Sequence, residues 1–245
     1  MNIQMILEAL FMIALLSPIF FLGKKTPNWK PKYLLFFVLY FVLDYCMTSL
    51  PFTFESLQIS SLEMNWEGKI LSYLGVLVFL ILPKEKKLQD IGLNFRVEED
   101  AKKYFRNNLL ITSGIVIIYG ILIGGYSYSF ENALFQLTMP SIVEEIVYRG
   151  ILLMLLNEVF QKNFKIGKTQ FGMGVIITSI LFGLLHGLSL GESFEIQMNW
   201  FSFLLTGAIG FYLGLSRERS GSLLLPILLH IIINLIPVII GGIMQ

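Results

Sequence analysis

Both histidines of the chain, His186 and His230, stand inside long apolar stretches. His186 ends Phe182-Gly-Leu-Leu-His186, and His230 begins His230-Ile-Ile-Ile-Asn234. A third apolar stretch carries Glu144-Glu145-Ile-Val-Tyr148-Arg149. A charged side chain near a bilayer centre costs at least about 2.5–3.5 kcal/mol on insertion scales, so an intramembrane ionisable residue is read as functional by default. Here acids, an arginine and every imidazole fall in three stretches, the pattern of a catalytic site built inside a membrane.

Glu145 and Arg149 are four apart and share a helix face, where pairing offsets much of the cost of both charges. Glu144 lies about 100° round the helix, with Tyr148 and no cation one turn on, so its carboxylate is left for another helix. Glu144 is the candidate water-activating base, supported by Glu145, Arg149 and Tyr148; the competing reading has both acids merely pairing with arginine and holding helices together. Phe182 shares a face with His186 and can wall and fix its ring, although a histidine on an apolar helix also serves as a plain interhelical hydrogen-bonding group. His230 and Asn234 share a face and can aim donors at one developing oxyanion, a use worth a few kcal/mol for each donor. Their competing reading is a polar clamp between helices. Two mechanisms fit these residues. The favoured one needs no cofactor: a carboxylate and an imidazole deprotonate water. In the other, Glu144, His186 and His230 hold a zinc ion that lowers the pKa of bound water. The chain has no His-Glu-x-x-His helix, so the zincin arrangement is absent.

The elements that must position these residues are set by composition. The chain has 245 residues, of which 55% are hydrophobic and 14% charged, against about 25% charged in soluble domains. Its mean hydropathy is +0.72. This predicts an all-α, multi-pass membrane protein in one integral domain, 1–245. A net charge of +1 gives no global field for nucleic acid. The single cysteine, Cys46, rules out an internal disulfide and reads as packing. About 20 apolar residues cross a hydrocarbon core, and the apolar runs fall at roughly 3–22, 33–52, 69–83, 108–125, 137–156, 171–190, 200–215 and 223–241. The first lacks a basic start and a small-residue cleavage site, so it reads as a retained helix rather than a secretory signal.

Loop charge supports eight spans. Lys and Arg number four in 23–32, seven in 84–107, three in 157–170 and two in 216–222. The alternate loops 53–68, 126–136 and 191–199 have none and carry only glutamates. By the positive-inside rule, both termini are expected outside the cytoplasm. The 84–107 stretch reads as a solvated interfacial helix whose basic residues meet anionic lipid. Only Lys69, at a helix edge, and Arg149 are left over. With a rise of 1.5 Å per residue, Glu144, His186, His230 and Asn234 lie roughly 18, 22, 11 and 17 Å from the basic end of their spans, within one band around mid-membrane.

Glu144-Glu145-x-x-x-Arg149, Phe182-x-x-x-His186 and His230-x-x-x-Asn234, in this order on successive apolar spans, resemble the CAAX-protease and bacteriocin-processing (CPBP, or Abi) family of intramembrane endopeptidases. Tyr148-Arg149-Gly150, Gly221-Ser222-Leu223 and Pro226 agree with the family's flanks, and the resemblance covers roughly 137–240. It implies a helical fold with a conical cavity and peptide-bond hydrolysis, with Glu144 and His186 activating water, His230 and Asn234 holding the oxyanion, and Glu145 and Arg149 organising the site. It also implies access from the cytoplasmic side, and a substrate that is a membrane-associated peptide or protein, such as a bacteriocin or pheromone precursor or a lipidated tail. The first four spans carry no matching motif. Two other classes compete: a non-catalytic immunity or regulatory protein binding a membrane partner, and a proton- or ion-coupled transporter, which the lack of a visible internal repeat disfavours. Asp44, mid-span and outside the motifs, reads as structural, and Glu8 lies near a membrane edge. The composition suggests a bacterial cell membrane.

Overall fold

The computed structural model describes residues 3–59, 61–81, 88–94, 101–191 and 194–245. The basic and acidic residues at 84–87 and 96–100 lie outside these, so the interfacial helix read at 84–107 is met only from Lys102 on, where α4 begins. The architecture is mostly helical: α1 (Ile3–Leu22), α2 (Pro31–Thr53), α3 (Trp66–Ile81), α4 (Lys102–Ile123), α5 (Phe130–Thr138), α6 (Pro140–Glu145), a π-helical segment (Ile146–Leu152), α7 (Leu153–Asn157), α8 (Met173–Gly187), α9 (Trp200–Ser220) and α10 (Leu224–Met244). Each apolar run of the sequence thus contains helix. Four of these helices, α1, α2, α4 and α10, are long and apolar enough to cross a membrane. The others are shorter or more polar, α3 having 16 residues and α8 15.

Three departures from the sequence reading have local causes. The expected span over 137–156 is broken at Met139, ahead of Pro140, which has no N–H to continue the α5 ladder. It then widens into the π segment, a device that recurs at functional sites. Two small antiparallel hairpins interrupt the all-α reading, β1 (Phe164–Ile166) with β2 (Thr169–Phe171), and β3 (Leu188–Leu190) with β4 (Ile196–Met198). Gly167, at φ 56, makes the first turn. The expected helix over 171–190 therefore stops at Gly187 and runs on as strand.

The loops sort onto two faces. On one, Gln161 N–H donates to Lys24 O (2.8 Å), Asn157 Nδ2 to Glu218 Oε1 (2.7 Å), and Leu223 N–H to Gly92 O (2.9 Å), so the described parts of all four basic loops meet there. On the other, Glu131 accepts from the N–H groups of Glu63 (2.9 Å) and Met64 (3.0 Å), joining two glutamate-bearing loops. Gln4 at the start of α1 donates to Leu190 O at the third (2.8 Å). The charge alternation in the sequence is an alternation of faces in the fold.

Packing is closest between α8 and α9, through glycines. A Cβ on Gly183 would stand 2.6 Å from Phe203 O, and one on Gly187 would stand 2.7 Å from Phe203 Cβ. Small residues let backbones approach where lipid gives no hydrophobic drive for association. The main core lies between α1, α2, the π segment and α8, around Phe37, Phe41, Ile151, Leu152 and Leu181.

Candidate active site

Phe182, on the third turn of α8, is the hub of the site and only 2% exposed. Its ring lies 4.6 Å from that of His186 and 6.0 Å, edge-on, from that of His230. Tyr148 packs against it at 5.2 Å, and the Arg149 guanidinium carbon sits 4.4 Å from its centroid. One aromatic ring thereby spaces both imidazoles and caps a buried cation. All three motif stretches meet on it.

The π segment keeps Arg149 under Glu145. Arg149 Nη1 donates to Glu145 Oε1 at 3.0 Å, and both side chains are fully enclosed. Arg149 Nη2 donates to Gly210 O on α9 at 3.1 Å. A Cβ on Gly210 would stand 3.2 Å from that nitrogen, so the absence of a side chain lets the guanidinium reach the carbonyl. The same Glu145 oxygen accepts from His230 Nδ1 at 2.8 Å. Glu145 thus joins the first and third motifs directly, a contact the sequence did not reveal.

His186 is one residue from the end of α8 and solvent-exposed. Its Nδ1–H donates to Phe182 O at 2.8 Å, because a carbonyl can only accept. That leaves Nε2 as the lone-pair nitrogen. It borders a groove of about 720 Å³ lined also by Ser189, Gln197, Asn199 and Trp200. Asn234 is half-buried one turn beyond His230, and its side chain makes no hydrogen bond among the described residues.

Glu144 is 8% exposed and faces the N-terminal half of the chain. Lys69 Nζ donates to its Oε1 at 2.6 Å. Beside them, Ser72 hydrogen-bonds Asp44. Asp44, Lys69, Ser72, Glu144 and Tyr148 line a cavity of about 40 Å³. A water needs about 10–15 Å³ and two to four polar partners, so this space suits one. Leu185 lines both this cavity and the His186 groove, so the two adjoin. Sequence reasoning left Lys69 at a helix edge and gave Asp44 a structural role. The signal that could have found Lys69 was its being the one lysine outside the basic loops.

A zinc ion held by Glu144, His186 and His230 would need the second Glu144 oxygen and the Nε2 atoms of both histidines to converge. Among the described residues no three His, Cys, Asp or Glu side chains gather as a ligand set. Lys69 holds one Glu144 oxygen, and Glu145 holds His230 Nδ1.

Residues 126–236 match the family model of the type II CAAX prenyl endopeptidases, described as Rce1-like. The resemblance carried by the three motifs is thereby shown over the segment that holds them, and it is to a family of intramembrane proteases. No curated protein and no solved structure matches the chain. Lys69 and Asp44 lie outside the matched segment.

Proposed function

We propose that the chain is an intramembrane endopeptidase that hydrolyses a peptide bond in a membrane-associated peptide or protein without a metal ion. The observation that carries this is the convergence of Arg149, His186 and His230 on Phe182, with Glu145 bonded to Arg149 and His230 and with Glu144 in the adjoining cavity. The class of substrate follows from the family likeness and from an opening at a membrane surface.

Each group has one chemical task. Glu144 has one oxygen bonded to Lys69 and the other left for water. His186 offers Nε2 as proton acceptor, since Nδ1 holds its proton toward Phe182 O. As the water oxygen bonds to the scissile carbonyl carbon, its proton passes to this carboxylate–imidazole pair. The carbonyl oxygen becomes an oxyanion. His230 spends Nδ1–H on Glu145, so donating from Nε2 requires protons on both nitrogens. The ring then acts as an imidazolium, with the Glu145 carboxylate as its counter-ion. The Asn234 amide is a second donor. Collapse of the intermediate breaks the C–N bond, and the stored proton goes to the leaving amine.

The test is membrane peptidomics on cells expressing wild type, Glu144→Gln or His186→Ala at matched abundance. Cleavage products present in wild type and missing from both variants are expected. Products that persist in either variant would refute the reading. Cleavage in membranes washed with a chelator should be unchanged; loss restored by stoichiometric zinc would refute the metal-free mechanism.

A further inference from the structure

We propose that the groove beside His186 opens on the extracytoplasmic face and receives the substrate as an extended strand laid on the open edge of β4. This rests on the protease reading and deepens it by naming the side and the form in which the peptide arrives.

The side follows from the two faces of the fold. The described basic loops meet at one end of the helices, and α8 starts there and ends at the other. His186 sits at that far end, and the groove continues into β3 and β4, which lie in a loop without Lys or Arg. The sequence places all sixteen loop cations on the opposite side, an asymmetry that sets orientation in a bilayer. Trp200, 66% exposed at the start of α9, marks the headgroup level beside the groove. Access from the cytoplasm, which the family likeness implies, would require a path along the length of α8.

The strand edge follows from hydrogen bonding. Gly191 N–H donates to Glu195 O (2.9 Å) and Asn199 N–H to Gly187 O (2.7 Å), so the bonded pairs of the hairpin are the odd-numbered residues. Alternation turns the backbone groups of Leu188, Leu190, Ile196 and Met198 outward. On β3 three of the four are closed: Leu188 N–H bonds Leu184 O, Leu190 N–H bonds Glu8 Oε1 (3.1 Å), and Leu190 O accepts from Gln4 Nε2 (2.8 Å). On β4 the outward groups of Ile196 and Met198 have no partner among the described residues. An open edge recruits an extended chain, and main-chain bonds supply its affinity. A protease that cuts within a membrane gains doubly, because the bound segment is unwound and its amides stay satisfied.

Two measurements test the two halves. In a Cys46→Ala background, Ser189→Cys in the groove and Lys165→Cys on the β1–β2 hairpin are exposed to a membrane-impermeant maleimide. Labelling of Ser189→Cys in intact cells, and of Lys165→Cys only after permeabilisation, is expected. The reverse pattern, or a Ser189→Cys that never labels, overturns the assignment of the groove. For the edge, Ile196→Pro removes one outward N–H and leaves the β3 ladder intact. It should raise KM for the cleavage that Glu144→Gln abolishes by roughly five- to tenfold, with kcat little changed. An unchanged KM overturns strand pairing. If Glu144→Gln abolishes no cleavage, the protease reading and the strand both fall, while the maleimide result still fixes the face.

Discussion

Glu145 holds more of the site together than the acid assigned to the chemistry. Its Oε1 meets Arg149 Nη1 and His230 Nδ1, with the glutamate and arginine side chains fully buried. Breaking a buried pair from one side leaves an uncompensated charge, typically at 3–5 kcal/mol. Glu145→Gln should therefore destabilise by about that much, and Arg149→Met in addition should recover part of it. Unfolding in detergent measures both; a double variant no more stable than the single one refutes the pair as an energetic unit. In the proposed mechanism Lys69 is a positioning residue that acts through Glu144. With the ammonium gone the carboxylate loses its one side-chain hydrogen bond among the described residues, and a misplacement of about 1 Å can cost 100-fold. Lys69→Met should lower kcat by up to about 100-fold with KM nearly unchanged, and Lys69→Arg should restore part. Equal rates in Lys69→Met and wild type would leave the lysine a structural tether. Phe182→Ala is expected to cost about 3–5 kcal/mol, as truncating a buried aromatic does, and to free both imidazoles.

Among the elements, α5 is tied to the preceding acidic loop by one side chain. Ser129 caps α5 by accepting from Asn132 N–H, and Glu131 in its first turn reaches across to Met64, Glu63 and the Trp66 indole. The N–H of Met64, then those of Trp66 and Glu63, hold the Glu131 carboxyl below the usual carboxylate range against a smaller desolvation effect. A depressed folded-state pKa contributes stability that is present above the unfolded value and lost as pH falls through the folded one. Hydrogen exchange at 61–66 should accelerate on acidification through that window, and Glu131→Gln should flatten the dependence; the same acid response in the variant would discount the tie. This contact shows what the sequence can and cannot carry. The eight apolar runs and the charge of the loops are local properties, and the structure has helix and faces where they indicate. The three motifs were legible because i, i+4 spacing is a fixed feature of a helix. The partners of Glu144 and His230 were not, because Lys69 and Glu145 reach them across 75 and 85 residues. The π segment was hidden because nothing in the spacing of Ile146–Leu152 distinguishes a π turn from an α turn, and the hairpins because strands of three residues have no readable period.

For the whole molecule, two of the helices that carry the site, α3 with Lys69 and α8 with His186, are short. At 1.5 Å per residue, the 15 residues of α8 and the 16 of α3 reach about 22 and 24 Å, against a hydrocarbon core near 30 Å. Of the four long helices only α10, with His230 and Asn234, brings motif residues to the site. A bilayer must thin beside α3 and α8, or β3–β4 and the Lys69 end of α3 must sink below the headgroups. Thinning brings the aqueous surface down to His186, which supplies water to a site otherwise enclosed in apolar side chains. Thicker lipid works against this, at fractions of a kcal/mol for each ångström of mismatch. Cleavage should therefore be faster in dimyristoyl than in dierucoyl phosphatidylcholine vesicles, at equal incorporation and with both bilayers fluid. A rate independent of acyl length would mean that the short helices are fully compensated by their neighbours and that water reaches His186 by a route the lipid does not control.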